Sequence, residues 1–503
     1  MSAFSHLPLG QRIPDSPHAV SCSLPTMRDV IGYEEKDPAV MQHLSSGYPR
    51  FVVHPFARQL ADHLVATTPA LAGSTLWLTS SERMAIALSA HLGESSGALR
   101  LEHGGLHGVY HPESSEIAGR AKVFLQNLGG FLSSRAAEDQ LVRLGLRERI
   151  HKEETFARDP LAEVQSNLRG AIPGTSNADL FLSSSGMSAI AAAFHVVSEL
   201  QAKRGRTVWL QLGWLYLDTI AILKKFTRTS DDYVYIRNVT DLPALARIFR
   251  AHGSRIAGVI AEVPTNPLIQ TPDLPALAEL CRTRGARLLV DPSITSVYNL
   301  EVLPHADLIV SSLTKYTASE GDLTAGLVAV NPQGPDADAL RRALPAQIEP
   351  LYSRDLARLA HEIGDTRNVL RAIHTNAARV VEFLSKHPAI SRVYSPLQDD
   401  SRENYLRLAR SPDATGGMIT FTLKEIGALE RFYDRLRLPK GPSFGMKTTL
   451  ICPFMYLAHY DLVTTPAGLA ELAASHLDPD LLRLCVGTEP AEEIIRALDE
   501  ALA

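Results

Sequence analysis

The sequence predicts an α/β protein built on a mostly parallel seven-stranded sheet, with a smaller α+β unit towards its C-terminal end. Three observations predict it. Short apolar runs recur through the middle of the chain, and most are apolar on both faces. Helical patterns lie between several of them. After about residue 335 the pattern changes to one long helical region followed by shorter strand-like pieces.

In chain order, residues 1–175 are the least regular, with helical stretches at 56–67 and 134–146 set among loops. The seven runs follow at 179–184, 206–212, 232–237, 256–263, 286–292, 306–313 and 325–330. Strands buried on both faces read this way in a parallel sheet. The helix LPALAELCRTRG (274–285) ends on Gly285, placed as its C-terminal stop. A helical region over 338–387, a strand at 417–423 and helices near 425–437 and 490–502 complete the chain. The expected division is 1–175, an N-terminal segment with an interface arm and an insert; 176–335, the large α/β domain; and 336–503, the smaller α+β domain.

Composition narrows the function. The chain has 503 residues, 45% hydrophobic and 21% charged, as globular proteins do. A net charge of −5 gives no footing for nucleic acid. Cys22, Cys281, Cys452 and Cys485 form no C-x-x-C pair, so neither a disulfide framework nor a metal site is expected, and a reducing cytoplasm fits. No apolar run reaches the roughly 18 residues of a membrane span, and no secretory signal is expected at the N-terminus.

Polar residues gather where the runs end, and in open α/β sheets ligands bind outside the carboxyl ends of strands. Ser185, Gly186 and Met187 open a helix after the first run, an arrangement that suits a phosphate or is plain capping. Asn266 lies in EVPTNPL, where a turn residue is also at home. Asp291 and Ser293 close the LLVDPS run, and a strand-end acid is often a helix cap. Ser312, Thr314 and Lys315 close SSLTKY. Each residue alone has a bland reading; their order on successive βα units does not. A phosphate turn, an acid for a ring nitrogen and a lysine able to form a Schiff base are what pyridoxal 5'-phosphate (PLP) requires.

The set resembles the cystathionine γ-synthase/γ-lyase (Cys/Met metabolism) family of PLP-dependent enzymes, closest to its long fungal-type synthases. That resemblance implies the aspartate aminotransferase-like fold, fold type I. It makes Lys315 the catalytic Schiff-base lysine, Asp291 the partner of the pyridine nitrogen, and Ser312 and Thr314 phosphate contacts beside the Ser185-Gly186-Met187 turn. Asn266 falls near the cofactor's phenolic oxygen, and Ser293 joins the cofactor set. Tyr216, in GWLYLDT, matches the tyrosine stacked on the ring, with YLDT standing where the family often has Y-G-G-T. Arg483, in LLRLCVGTEP, matches the binder of the substrate carboxylate, and Ser443, in GPSFGMKTTL, lines the site. Tyr48 and Arg50, in GYPRFVVHP, match an arm that crosses to the neighbouring subunit's phosphate, which implies a homodimer or homotetramer with shared sites.

Two features depart from the family. Roughly 110 residues separate that arm from the phosphate turn, more than in typical bacterial members. After the lysine the chain reads KYTASEGDLTAG, with Ser319 and Glu320 replacing the common Gly-His, a change that bears either on substrate choice or on structure alone. Four activities are in view. The leading one is γ-replacement joining an activated homoserine to cysteine. The others are γ- or β-elimination on a sulfur amino acid, halide elimination from a chlorinated unsaturated amino acid to an alkyne, and a non-catalytic scaffold. Lys315, Asp291 and Arg483 together argue against the last.

Overall fold

A computed structural model describes residues 4–46 and 53–503. Tyr48 and Arg50 lie outside the described residues. Two short strands, β1 (Arg12–Ile13) and β2 (Ser21–Cys22), pair as an antiparallel ribbon. A three-stranded antiparallel sheet follows, made of β3 (Ser74–Thr79), β4 (Leu99–His103) and β5 (Leu106–Pro112) in the order β3-β5-β4. The sequence pattern shows only helices and loops here. β4 is almost wholly exposed, so it carries no apolar face for a period of two to reveal.

The large sheet comprises β6 (Leu180–Ser183), β7 (Val208–Leu212), β8 (Tyr233–Ile236), β9 (Ile256–Glu262), β10 (Arg287–Asp291), β11 (Leu308–Ser312) and β12 (Gly326–Val330). Each falls within one of the seven apolar runs. The order is β6-β12-β11-β10-β9-β7-β8. β7 to β11 are joined by parallel pairings, and β12 runs antiparallel to both its neighbours. All seven residues of β9 are buried, and they alternate between two cores. Val259 and Ala261 pack with Leu274 and Leu277 on one face; Ala257 and Ile260 pack with Ala189, Ala193 and Val196 on the other. Helices cover both faces, which is why the strands read as unbroken apolar runs. Gly285 ends the helix Leu274–Arg284 with φ +68°, as its position in the sequence suggests.

The last sheet is antiparallel, with β13 (Ile390–Tyr394), β14 (Met418–Leu423), β15 (Leu450–Pro453) and β16 (Leu482–Cys485) in the order β13-β14-β16-β15. The helical region around 338–387 is three helices, Ala337–Ala343, Ser353–Ile363 and Thr366–Lys386. Pro345 and Pro350 fall in the first break, because proline lacks the N–H a helix needs. No helix among the described residues is long and apolar enough to cross a membrane.

Candidate active site

The carboxyl ends of β7, β9, β10 and β11 point to one side of the large sheet, and a cavity of about 550 Å³ opens there. Every site residue singled out in the sequence and described by the structure lines it: Ser185, Gly186, Met187, Tyr216, Asn266, Asp291, Ser293, Ser312, Thr314, Lys315, Ser443 and Arg483.

Lys315 follows β11 by three residues, in a turn held by the Tyr316 N–H donating to the Gly445 carbonyl at 2.6 Å. Its Nζ donates to Ser443 Oγ at 3.0 Å and sits 4.5 Å from the centre of the Phe444 ring. Burial pushes the amine well below its ordinary value, and the Arg483 guanidinium pushes it further. Ser443 reaches this position with φ +91°, a conformation uncommon for a residue with a side chain and frequent where a site imposes it. Arg483 belongs to β16, where Leu482 and Leu484 point into the C-terminal core, so the alternation turns Arg483 the other way, towards the cavity. Its Nη2 donates to the Ser443 carbonyl at 3.3 Å, and its guanidinium lies 4.7 Å from the Phe454 ring.

Two acids end neighbouring strands. Asp291 and Glu262 are register partners in the parallel β9–β10 ladder, and both are buried. Burial raises Asp291 to about 6. Burial and then the charge of Asp291 raise Glu262 well above the usual carboxylate range. Asp291 Oδ1 accepts from the Ser293 N–H at 2.9 Å, and Glu262 Oε1 accepts from the Tyr216 N–H at 2.5 Å. Glu262 stands in EVPTNPL, four residues before Asn266. It is a site residue that reading the sequence passed over, although a strand-end acid was the available signal.

At the turn after β6, Ser185 caps the helix Gly186–Ala202 by accepting from the Ser188 N–H at 3.2 Å. The N–H groups of a first helical turn have no intrahelical acceptor, which makes this an anion site. A Cβ on Gly186 would stand 2.8 Å from the Ser312 Cβ, so the turn closes against β11 only because residue 186 is glycine. Gly326 is as constrained, since its Cβ would fall 2.2 Å from the Ser185 carbonyl oxygen. Ser293 Oγ accepts from the Ser312 N–H at 2.8 Å. The Thr314 hydroxyl accepts from the Ala325 N–H at 3.0 Å, so backbone holds it.

These residues fit PLP. A buried acid whose pKa burial raises suits a protonated ring nitrogen as its counter-charge. Asn266 is buried, and its Oδ1 has no hydrogen-bond partner among the described residues. The helix N-terminus suits the phosphate, and an amine of lowered pKa suits the aldehyde carbon.

The segment after the lysine reaches the cavity only in part. Leu323 and Thr324 line the cavity, whereas Ser319 and Glu320 do not. Glu320 pairs with Lys447 at 2.6 Å, and its N–H donates to Glu362 at 2.9 Å. Asp322 pairs with Arg358 at 3.1 Å and with the wholly buried Arg135 at 3.6 Å. Glu320 thus ties the loop to Lys447 and to the helix Ser353–Ile363, and Asp322, which keeps the family's residue, ties it to Arg358 of that helix and to Arg135 of the extra segment. That segment also builds cavity wall, through Thr79, Gln126, Phe131 and Ser134. None of these was legible as a site residue, because each reaches the cavity only through the tertiary fold.

A family model described as "Cys/Met metabolism PLP-dependent enzyme" matches residues 160–503. The chain is 38% identical over 489 residues to an L-2-amino-4-chloropent-4-enoate dechlorinase/desaturase from Streptantibioticus cattleyicolor, covering 97% of each. It is 26% identical over 621 residues to a cystathionine gamma-synthase from Neurospora crassa, covering 98% of each. Among solved structures it is similar to a cystathionine gamma-lyase from Lactobacillus plantarum complexed with L-serine. That match has a TM-score of 0.58 and 20% identity, over 69% of this chain and 86% of the other.

Proposed function

The chain belongs to the Cys/Met metabolism family of PLP-dependent enzymes, and from this we propose that it acts on an amino acid carrying a leaving group at Cγ, which it eliminates or replaces. The observation that carries the reading is the Lys315 amine, buried beside Ser443 and Arg483 on the cavity that Asp291 also lines, with its pKa pushed down by burial. Bound PLP supplies an electron sink that makes the hydrogens on Cα and then Cβ acidic. Arg483 holds the substrate carboxylate by paired hydrogen bonds and so fixes Cα relative to the lysine. Lys315, neutral and held by the Ser443 hydroxyl, takes the Cα proton and serves again at Cβ. Asp291 would pair with the ring nitrogen, Asn266 would serve the phenolic oxygen, and Ser185, Gly186, Met187, Ser312 and Thr314 would hold the phosphate. Tyr216 would cover the ring, and Phe444 and Phe454, which line the cavity, would limit water around the reacting carbons.

Two substrate classes compete. One is an activated homoserine whose γ-substituent cysteine replaces; the synthases among the relatives support it. The other is a chlorinated unsaturated amino acid that loses halide to become an alkyne. Identity of 38% along nearly the whole of both chains supports this one more strongly than 26% supports the first. The enzyme is a homodimer or homotetramer on this reading, with Tyr48 and Arg50 serving a neighbouring site. It works in a reducing cytoplasm, in keeping with four buried free cysteines. The test is to incubate the purified holoenzyme with L-2-amino-4-chloropent-4-enoate, and separately with O-acylhomoserine plus cysteine, and to measure chloride and product mass. Release of a Cγ group from either substrate is expected; release from neither would overturn the proposal.

A further inference from the structure

We propose that Asp218 is a second catalytic base of this site, taking a proton from the carbon beyond Cγ. The proposal rests on the reading that the substrate is a chlorinated unsaturated amino acid. Asp218 stands two residues after Tyr216, where the family often has glycine, and it is one of the residues around the cavity. It is 1% exposed. Its Oδ1 accepts from Gln126 Nε2 at 2.7 Å and Asn127 Nδ2 at 2.9 Å. The orientation of the second amide is fixed independently, because Lys225 Nζ donates to Asn127 Oδ1 at 2.7 Å. Both amides come from the last turn of the helix Ser115–Leu128, part of the extra segment. Oδ2 is buried and has no hydrogen-bond partner among the described residues. A buried carboxylate oxygen without a donor is costly, so a side chain clamped through one oxygen with the other left over is built to meet something in the cavity.

The chemistry supplies a task. Lys315 serves Cα and Cβ, but an alkyne at Cγ–Cδ also requires a proton to leave Cδ, three bonds from Cα. After passing the Cα proton to water, Lys315 takes the Cβ proton, that bond's electron pair becomes the second bond between Cβ and Cγ, and chloride leaves Cγ with its bonding pair; Cα regains a proton from water before product leaves. Asp218 Oδ2 then takes one Cδ proton. The released pair completes the triple bond between Cγ and Cδ, and the displaced Cβ–Cγ pair takes a proton back from Lys315. The net change is loss of chloride to solvent and of one proton to Asp218, which passes it to water.

The test uses wild-type, Asp218→Asn and Asp218→Ala holoenzymes. Chloride release and alkyne formation from L-2-amino-4-chloropent-4-enoate are measured separately. In parallel, the alkyne amino acid is incubated in D₂O and exchange at Cα, Cβ and the terminal carbon is followed by NMR. Loss of a general base slows its step by about 10²–10⁴-fold, so Asp218→Asn should form alkyne at least about 100-fold more slowly and lose terminal exchange, while Cα exchange changes less than about threefold. Terminal exchange at the wild-type rate in Asp218→Asn would overturn the proposal, as would an equal fall at Cα, which marks a positioning role. Absence of chloride release by the wild type overturns the substrate reading instead, and the exchange experiment still decides the role of Asp218.

Discussion

Lys315 can serve as a base only while uncharged, and its surroundings shift it in that direction. Burial and the nearby Arg483 both favour the neutral amine, and Ser443 holds its Nζ at 3.0 Å. Asp291 shows the opposite need. Its carboxylate is buried beside a second acid, and burial raises its pKa to about 6. The protein without PLP should therefore be destabilised by this group as pH rises from its ordinary value near 3.8 through about 6, because the folded form holds its proton longer than the unfolded chain does. Replacing Asp291 with Asn should make the PLP-free protein more stable than wild type at pH 7–8, with the advantage fading towards pH 4, as followed by thermal melting. With PLP bound the sign should reverse, since the ring nitrogen loses its partner. A difference that stays flat across this range would remove the buried charge from the account. At this scale Lys315, Asp291 and Arg483 were legible because each sits at a recognisable strand end or motif. Glu262 was visible but passed over. Asp218 was noticed only as a departure, since its buried carboxylate and its amide partners appear only in three dimensions.

Among the elements, the loop after Lys315 changes meaning. In the sequence, Ser319 and Glu320 mark a departure beside the lysine. In the structure they lie off the cavity wall, and Glu320 forms a part-exposed pair with Lys447. Such pairs contribute about 0–1 kcal/mol. Exchanging Ser319 for Gly together with Glu320 for His should leave the ratio of elimination to replacement products within about twofold and cost no more than about 1 kcal/mol of stability. A switch in product, measured by mass spectrometry on the same substrates, would return substrate choice to this loop. The seven strands of the large sheet were legible because their apolar runs are bounded by polar turns. β4 was not, because an almost wholly exposed edge strand gives no such signal.

The whole molecule assembles one cavity from parts far apart in the chain. The large sheet contributes the lysine, the acids and the phosphate turn; β16 contributes Arg483; the extra segment contributes Thr79, Gln126 and Phe131. The N-terminal stretch fastens these parts together, with the Val20 N–H donating to the Gly321 carbonyl at 2.9 Å and Ser21 Oγ to the Pro442 carbonyl at 2.5 Å. The fold class was legible because strand pattern and connecting helices agree over the middle of the chain. The composition of the cavity wall was not, since proximity across hundreds of residues leaves no local trace. The account as a whole depends on one covalent fact, and borohydride reduction of the holoenzyme, followed by protease digestion and mass spectrometry, measures it. A single pyridoxyl-phosphate adduct on the peptide containing Lys315 is predicted, and none in the Lys315→Ala variant. An adduct on another lysine, or turnover unchanged in Lys315→Ala, would contradict the account.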